Sequence, residues 1–108
     1  MADVIIEDHT EEVKEAAAQA IARALEAVGL QAEGYAKLLA PVDTGRLRAS
    51  IIHEQENDTT EIIGTAVEYA PYVEFGTSRT KPKHFMQNAI QNHVAEYQEI
   101  FEEYMKNA

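Results

Sequence analysis

Apolar residues recur at Val13, Ala17, Ala20, Ile21, Ala24, Leu25 and Val28, and again at Ala32, Tyr35, Leu38 and Leu39. Steps of three and four mark one helix face, so the spacing predicts a helix over residues 9–40. Asp8 or Thr10 is placed to accept the first free backbone N–H groups. Glu11 and Glu12 stand where the positive end of the helix dipole favours acids. Gly29 and Gly34 each cost about 1 kcal/mol relative to alanine inside a helix, which marks Gly29 as a place to bend or break. Pro41 ends the helix, because the residue before a proline is pushed out of the helical region.

The period then changes. Residues 47–54 and 61–69 are short, partly alternating and rich in β-branched side chains, with a polar run at 55–60 between them. This pattern predicts an antiparallel hairpin. Tyr72 to Phe75, after Pro71, reads as a third extended piece, so strands are expected within 47–75. Gly76 to Lys83 forms a loop, and Phe85 or Met86, Ala89 or Ile90, Val94, Tyr97, Phe101 and Tyr104 return to helical spacing, predicting a helix over 84–105. The expected fold is α+β in a single domain over 1–108: a long N-terminal helix, a small antiparallel sheet of two to four strands, and a C-terminal helix packed on one face.

Charge narrows the partners. Nineteen acids against nine bases give a net charge of −10, which argues against the broad basic surface that duplex nucleic acid requires. At 45% hydrophobic and 26% charged residues the chain should nevertheless fold around a core. A core of this size leaves a thin stability margin, which favours assembly with copies or partners. The chain has no cysteine, so disulfides, thiolate metal sites and cysteine nucleophiles are excluded. The first residues lack the basic start and apolar stretch of a signal peptide. No segment approaches the ~20 apolar residues of a membrane span, and a cytosolic site of synthesis is expected.

Candidate chemistry is sparse. Asp43-Thr44-Gly45 resembles the aspartic-protease triplet, with Ile62-Ile63-Gly64 as a faint echo of its supporting segment, and a homodimeric enzyme using Asp43 is one alternative. That chemistry needs the aspartate at the end of a buried strand so that two carboxylates share a proton. Here the triplet follows Pro41 and precedes Arg46 and Arg48, a setting that favours a turn with Gly45 at an angle other residues resist. His9, His53, His84 and His93 form no metal-binding pair. His84 and His93 stand about 13 Å apart along one helix, so neither a metal nor a catalytic residue nor a cofactor is expected. The loop instead concentrates Arg79, Lys81 and Lys83 in an otherwise acidic chain, which suits a solvated loop or electrostatic docking, either onto the acidic helix surface of another copy or toward DNA passing through a channel. Tyr69 and Tyr72 join them as interface candidates, because the short aromatic stretch exceeds what a small sheet must bury. A small acidic binding or inhibitor module is the other alternative.

Three ordered blocks carry more weight than any single triplet. Ala40 to Ile51 contains Pro41, Asp43, Thr44, Gly45, Leu47 and Ser50; Val67 to Thr77 contains Tyr69, Ala70, Tyr72, Val73, Glu74, Phe75, Gly76 and Thr77; Lys81 to Met86 contains Pro82 and Phe85. In order and spacing these blocks resemble the minor tail, neck or tail-completion proteins of long-tailed bacteriophages and prophages. The sequence departs from that pattern at His84, where a proline is common. The resemblance implies an α+β structural protein, not an enzyme, acting at the head–tail junction as a ring. Its partners would be copies of itself and other head–tail connector and tail proteins, with no membrane and no sequence-specific nucleic acid, although the DNA channel would pass nearby. Its place would be the virion, reached from the host cytoplasm during assembly. Arg79, Lys81, Lys83 and Tyr72 are the expected subunit contacts.

Overall fold

The computed structural model describes residues 10–41 and 45–106. Helix α1 (Thr10–Leu39) runs unbroken for 30 residues, about 45 Å at 1.5 Å per residue. Glu11 and Glu12 occupy its first turn and Lys37 its last, each complementing the dipole. The expected cap Asp8 lies outside the described residues, and Thr10 is itself the first helical residue. Neither glycine breaks the helix. Gly34 faces open space, while Gly29 is buried and its missing Cβ makes room for Glu61, whose Cγ would lie 2.5 Å from a β-carbon there. Along the buried face Ala20, Ala24, Ala32, Ala36 and Ala40 follow steps of four or eight, and such small side chains let neighbouring backbones approach closely.

The expected strand start at 47 is a helical turn. Helix α2 (Arg46–Ser50) opens behind Gly45, which takes φ +81°, and the Ala49 amide donates to the Gly45 carbonyl at 3.0 Å. Leu47, Arg48 and Ala49 are good helix formers, and the β-branched run begins only at Ile51 and Ile52. Strands β1 (Ile52–Asn57) and β2 (Thr60–Gly64) then pair antiparallel, with Ile52 opposite Gly64 and His53 opposite Ile63. The polar run belongs partly to β1, and the turn is only Asp58 and Thr59. It is fixed by Asn57 Oδ1, which accepts from both the amide and the hydroxyl of Thr59 at 2.9 Å. The alternation of a strand turns His53, Gln55, Glu61 and Ile63 toward α1 and leaves Ile52 and Ile62 exposed on the other side.

The third extended piece is also a helix, α3 (Ala70–Phe75). Pro71 sits in its first turn, where proline's fixed φ suits a helix and its missing N–H costs nothing. Tyr69, Ala70 and Val73 face inward at helical spacing, and Tyr72 and Phe75 point out. A strand at this position would need a partner, and the only sheet among the described residues has two strands. The final helix is two: α4 (Phe85–Gln91) and α5 (Val94–Lys106), separated by a turn at Asn92 and His93. This turn lets α5 run antiparallel along α1, with His93 against Tyr35 and Phe101 beside Leu25.

The long helix is therefore the shared partner of both other layers, hairpin and C-terminal helices alike. The main core lies where its C-terminal half meets α2, α3 and α4. Phe85 and Ile51 are the largest side chains fully enclosed there, among Ala36, Ala40, Leu47, Val67, Ala70 and Ala89.

Candidate functional site

The motif residues converge where α2, α3, α4 and the 76–83 loop meet the end of α1. At their centre is Glu74, 7% exposed and the only buried charged side chain among the described residues. Its Oε1 accepts from the Met86 amide at 2.8 Å and its Oε2 from the Gln87 amide at 3.1 Å, so a carboxylate on α3 satisfies two of the free N–H groups that begin α4. The backbone repeats the tie, with the Lys83 amide donating to the Val73 carbonyl at 2.9 Å and the His84 amide to the Glu74 carbonyl at 3.1 Å. His84, at the junction, takes φ +48°, the one non-glycine residue with positive φ among those described. Proline, common at this position in the resembling family, has φ fixed near −65° and could not adopt it.

The loop is built as firmly. Gly76 has φ +77° and ψ 177°, a region that only glycine enters easily, and a Cβ there would lie 2.7 Å from Pro82 N and from the Thr80 carbonyl oxygen. The Thr77 hydroxyl accepts from the amides of Arg79 (3.2 Å) and Thr80 (3.1 Å), and the Thr77 amide donates to the Thr80 carbonyl at 2.9 Å. Glu74, Gly76, Thr77 and Pro82 thus make a rigid bracket. Leu47, Ala70 and Phe85 bury beneath it. The Ser50 hydroxyl donates to the Leu47 carbonyl and lies 2.5 Å from Thr65 Oγ1, joining α2 to the segment after β2.

What the bracket displays is apolar and cationic. Tyr72 is 62% and Phe75 69% exposed. Beside them Pro41, Tyr69, Tyr72, Val73, Thr77 and Lys83 line an open cleft of about 290 Å³. Arg79, Lys81 and Lys83 are exposed, and no carboxylate among the described residues pairs with them. Nearby, Arg46 grips Glu68 with both guanidinium nitrogens (3.0 and 2.8 Å) and lies 5.5 Å from the Tyr69 ring centroid. That bond holds the Glu68 carboxyl below the usual carboxylate range and raises Arg46 further. Asp43 and Thr44 lie outside the described residues. Gly45 leads into a helix, whereas the protease arrangement requires a strand end, and Ile62 of the echoing segment is 46% exposed on the hairpin.

No group of three or more metal-ligating side chains gathers among the described residues, and no helix among them is long and apolar enough to cross a membrane. A scan against protein families matches the HK97-gp10-like family, described as a tail component of bacteriophage HK97, over residues 6–76, about two thirds of the chain. The chain belongs to the HK97-gp10-like family. No curated protein and no solved structure matches it. The family match ends at Gly76, so it takes in α1, α2, the hairpin and α3, while the cationic loop, α4 and α5 follow it.

In this HK97-gp10-like chain two polar clusters hold later elements to α1 and a third ties α5 to α4, and no local sequence pattern marks any of them. Glu33 Oε1 accepts from the His53 amide at 2.9 Å and lies 3.3 Å from its Nδ1, fixing β1. Tyr35 stacks on His93 with centroids 3.5 Å apart, and its hydroxyl donates to Glu96, a bond that raises the Tyr35 pKa. Tyr97 donates to the Ala89 carbonyl, and burial pushes its phenol up to about 12. Glu61, against Gly29, is different: neither carboxylate oxygen has a hydrogen-bond partner among the described residues, and burial raises its pKa. Each partner lies 20 or more residues away or depends on the turn at Asn92, which is why spacing alone does not reveal these pairs.

Proposed function

We propose that this tail-family protein is a non-enzymatic structural component of the head–tail junction of a long-tailed phage or prophage, a neck or tail-completion subunit that forms a ring around the DNA channel. The observation that carries the proposal is the bracket itself. Two aromatic side chains on α3, 62% and 69% exposed, and three loop cations with no carboxylate partner among the described residues stand on a helix and loop held together by at least five internal hydrogen bonds. Rigid display of exposed aromatics beside charges is what a protein interface uses, since anchors already ordered lose little entropy on binding. The three motif blocks of the neck and tail-completion proteins support the same position. A chain of net charge −10 also suits a conduit, because DNA slides past acidic walls without adhering.

Partners on this proposal are copies of the chain and the connector and tail proteins on either side, met in the host cytoplasm and retained in the virion. The test is electron microscopy of lysates from the parent phage or prophage with the gene deleted, beside a complemented culture. Filled heads with unattached tails of normal length, restored by complementation, are the expected result. Normal infectious virions in the deletion would refute it.

A further inference from the structure

A second surface lies between α1 and α5. Leu25, Val28, Val94, Tyr97 and Phe101 line an open groove of about 490 Å³, with Gln98 and Glu102 among its walls. Nothing in the described chain fills it: α5 has no buried residue, and Val94 remains 47% exposed. The surroundings are acidic, since α5 carries Glu96, Glu99, Glu102 and Glu103 against Lys106 alone.

This groove is the chemical complement of the bracket. One offers apolar space with carboxylates around it, the other exposed aromatics beside cations that have no carboxylate partner among the described residues. They do not meet within one chain, because the bracket stands at the C-terminal end of α1, and Val28 lies eleven residues before the last helical residue, Leu39, about 16 Å at 1.5 Å per residue.

We infer that the chain associates head to tail with itself, the Tyr72–Phe75 face and cationic loop of one copy seating in the α1–α5 groove of the next. The inference rests on the ring proposed above in taking copies to assemble, and it assigns the contact they use. The occupant is a second copy because aromatics flanked by cations are what an apolar groove among carboxylates selects, and the bracket of this same chain carries them. With −10 net charge per subunit, two copies repel in most orientations. They attract where the three cations lead into the acidic groove, which gives the contact its direction. Unlike patches make a heterologous contact, and repeated application closes a ring or extends a filament.

The absence of cysteine makes the test clean. Tyr72→Cys and Gln98→Cys chains are mixed under oxidising conditions, with Tyr72→Cys plus Glu54→Cys, on the outer face of the hairpin, as the control. The groove pair should form mixed disulfides at least about tenfold faster, and high salt should remove most of the advantage. Charge reversal at Arg79, Lys81 and Lys83 to glutamate should abolish it, and Glu99→Lys with Glu102→Lys on the other chain should restore it. Far-UV circular dichroism checks that each variant is folded. Equal rates for the two pairs, or a rate indifferent to charge reversal, would overturn the inference. Cross-linking by the groove pair alongside normal virions in the gene deletion leaves the contact standing and the junction role refuted. Detached tails with no preferential cross-linking give the converse.

Discussion

Replacing Glu74 with alanine tests whether the bracket is held as described. The side chain is 7% exposed, and its two oxygens receive the Met86 and Gln87 amides at 2.8 and 3.1 Å. Hydrogen bonds to a charged acceptor contribute about 1.5–3 kcal/mol each, so the gross loss is roughly 3–6 kcal/mol. Against this, truncation relieves the desolvation of a carboxylate, and water can reach part of the opened space. Losing a single helix-capping bond costs about 0.5–2 kcal/mol net in proteins generally, and two such bonds in a buried setting should cost about 2–3 kcal/mol. For a domain whose whole stability is about 5–15 kcal/mol this is a large fraction, and at 4–8 °C per kcal/mol it lowers Tm by roughly 10–20 °C. Glu74→Gln keeps one acceptor oxygen and should lose about half as much. The assay is urea denaturation followed by circular dichroism, with Glu54→Ala on the exposed strand face as a control expected within about 0.5 kcal/mol of the parent. If Glu74→Ala also falls within about 0.5 kcal/mol, the carboxylate is not what caps α4 and the account of the bracket is wrong.

Other perturbations follow from single geometric facts. His84→Gly should stabilise slightly, because an L-residue at φ +48° costs about 1–2 kcal/mol and glycine's extra freedom when unfolded returns part of it; His84→Pro should destabilise by more than about 2 kcal/mol, both read from denaturation midpoints. Gly76→Ala should cost about 1–3 kcal/mol and open the loop to limited proteolysis near Arg79, since its Cβ would meet backbone atoms of Pro82 and Thr80. Burial raises the Glu61 pKa above its ordinary 4.5, so the protonated form favours the fold: that contribution is complete below about pH 4.5 and lost as pH rises through the raised value. Glu61→Gln should therefore stabilise the fold at pH 7 by about 1 kcal/mol, as for a polar group buried with no partner among the described residues, read as a higher Tm, with the gain shrinking toward pH 4; a gain unchanged across that range would refute it.

The long helix and the hairpin were legible because each shows its own period over many residues. Fold class followed from those two elements alone. Helix α3 was not legible: six residues rich in aromatics and β-branched side chains satisfy strand propensity as well as one helical turn, and Pro71 suits either a strand edge or a helix start. Its true state matters, since only a helix turns Val73 inward while sending Tyr72 and Phe75 out. The break at Asn92 was hidden for a related reason. Phe85, Ala89, Tyr97 and Phe101 keep helical spacing across it, although the two halves serve different surfaces, α4 the core and α5 the flank of α1. The role of Glu74 depended on both facts, because its donors lie 12 and 13 residues away at the start of α4.

A physical economy connects the alanine stripe to the exposed aromatics. Seven of the eleven buried apolar residues among those described are alanines, which bring α1 close to its neighbours but remove little apolar area from water. The larger side chains that could have enlarged the core, Leu30, Leu38, Tyr72 and Phe75 among them, are 60–71% exposed. Redistributing them inward would stabilise the isolated chain and leave it nothing to bind with. Keeping them outside, on elements fixed by Glu74, Gly76 and Thr77, leaves part of the available hydrophobic free energy to be released on contact with another molecule. Exposed aromatics invite indiscriminate association, and net charge opposes that: most approaches between acidic chains are repulsive, and on the contact proposed above the Arg79–Lys83 loop marks the attractive direction. Internal bonds, exposed anchors and net charge thus serve one requirement, that apolar surface remain available without becoming adhesive everywhere.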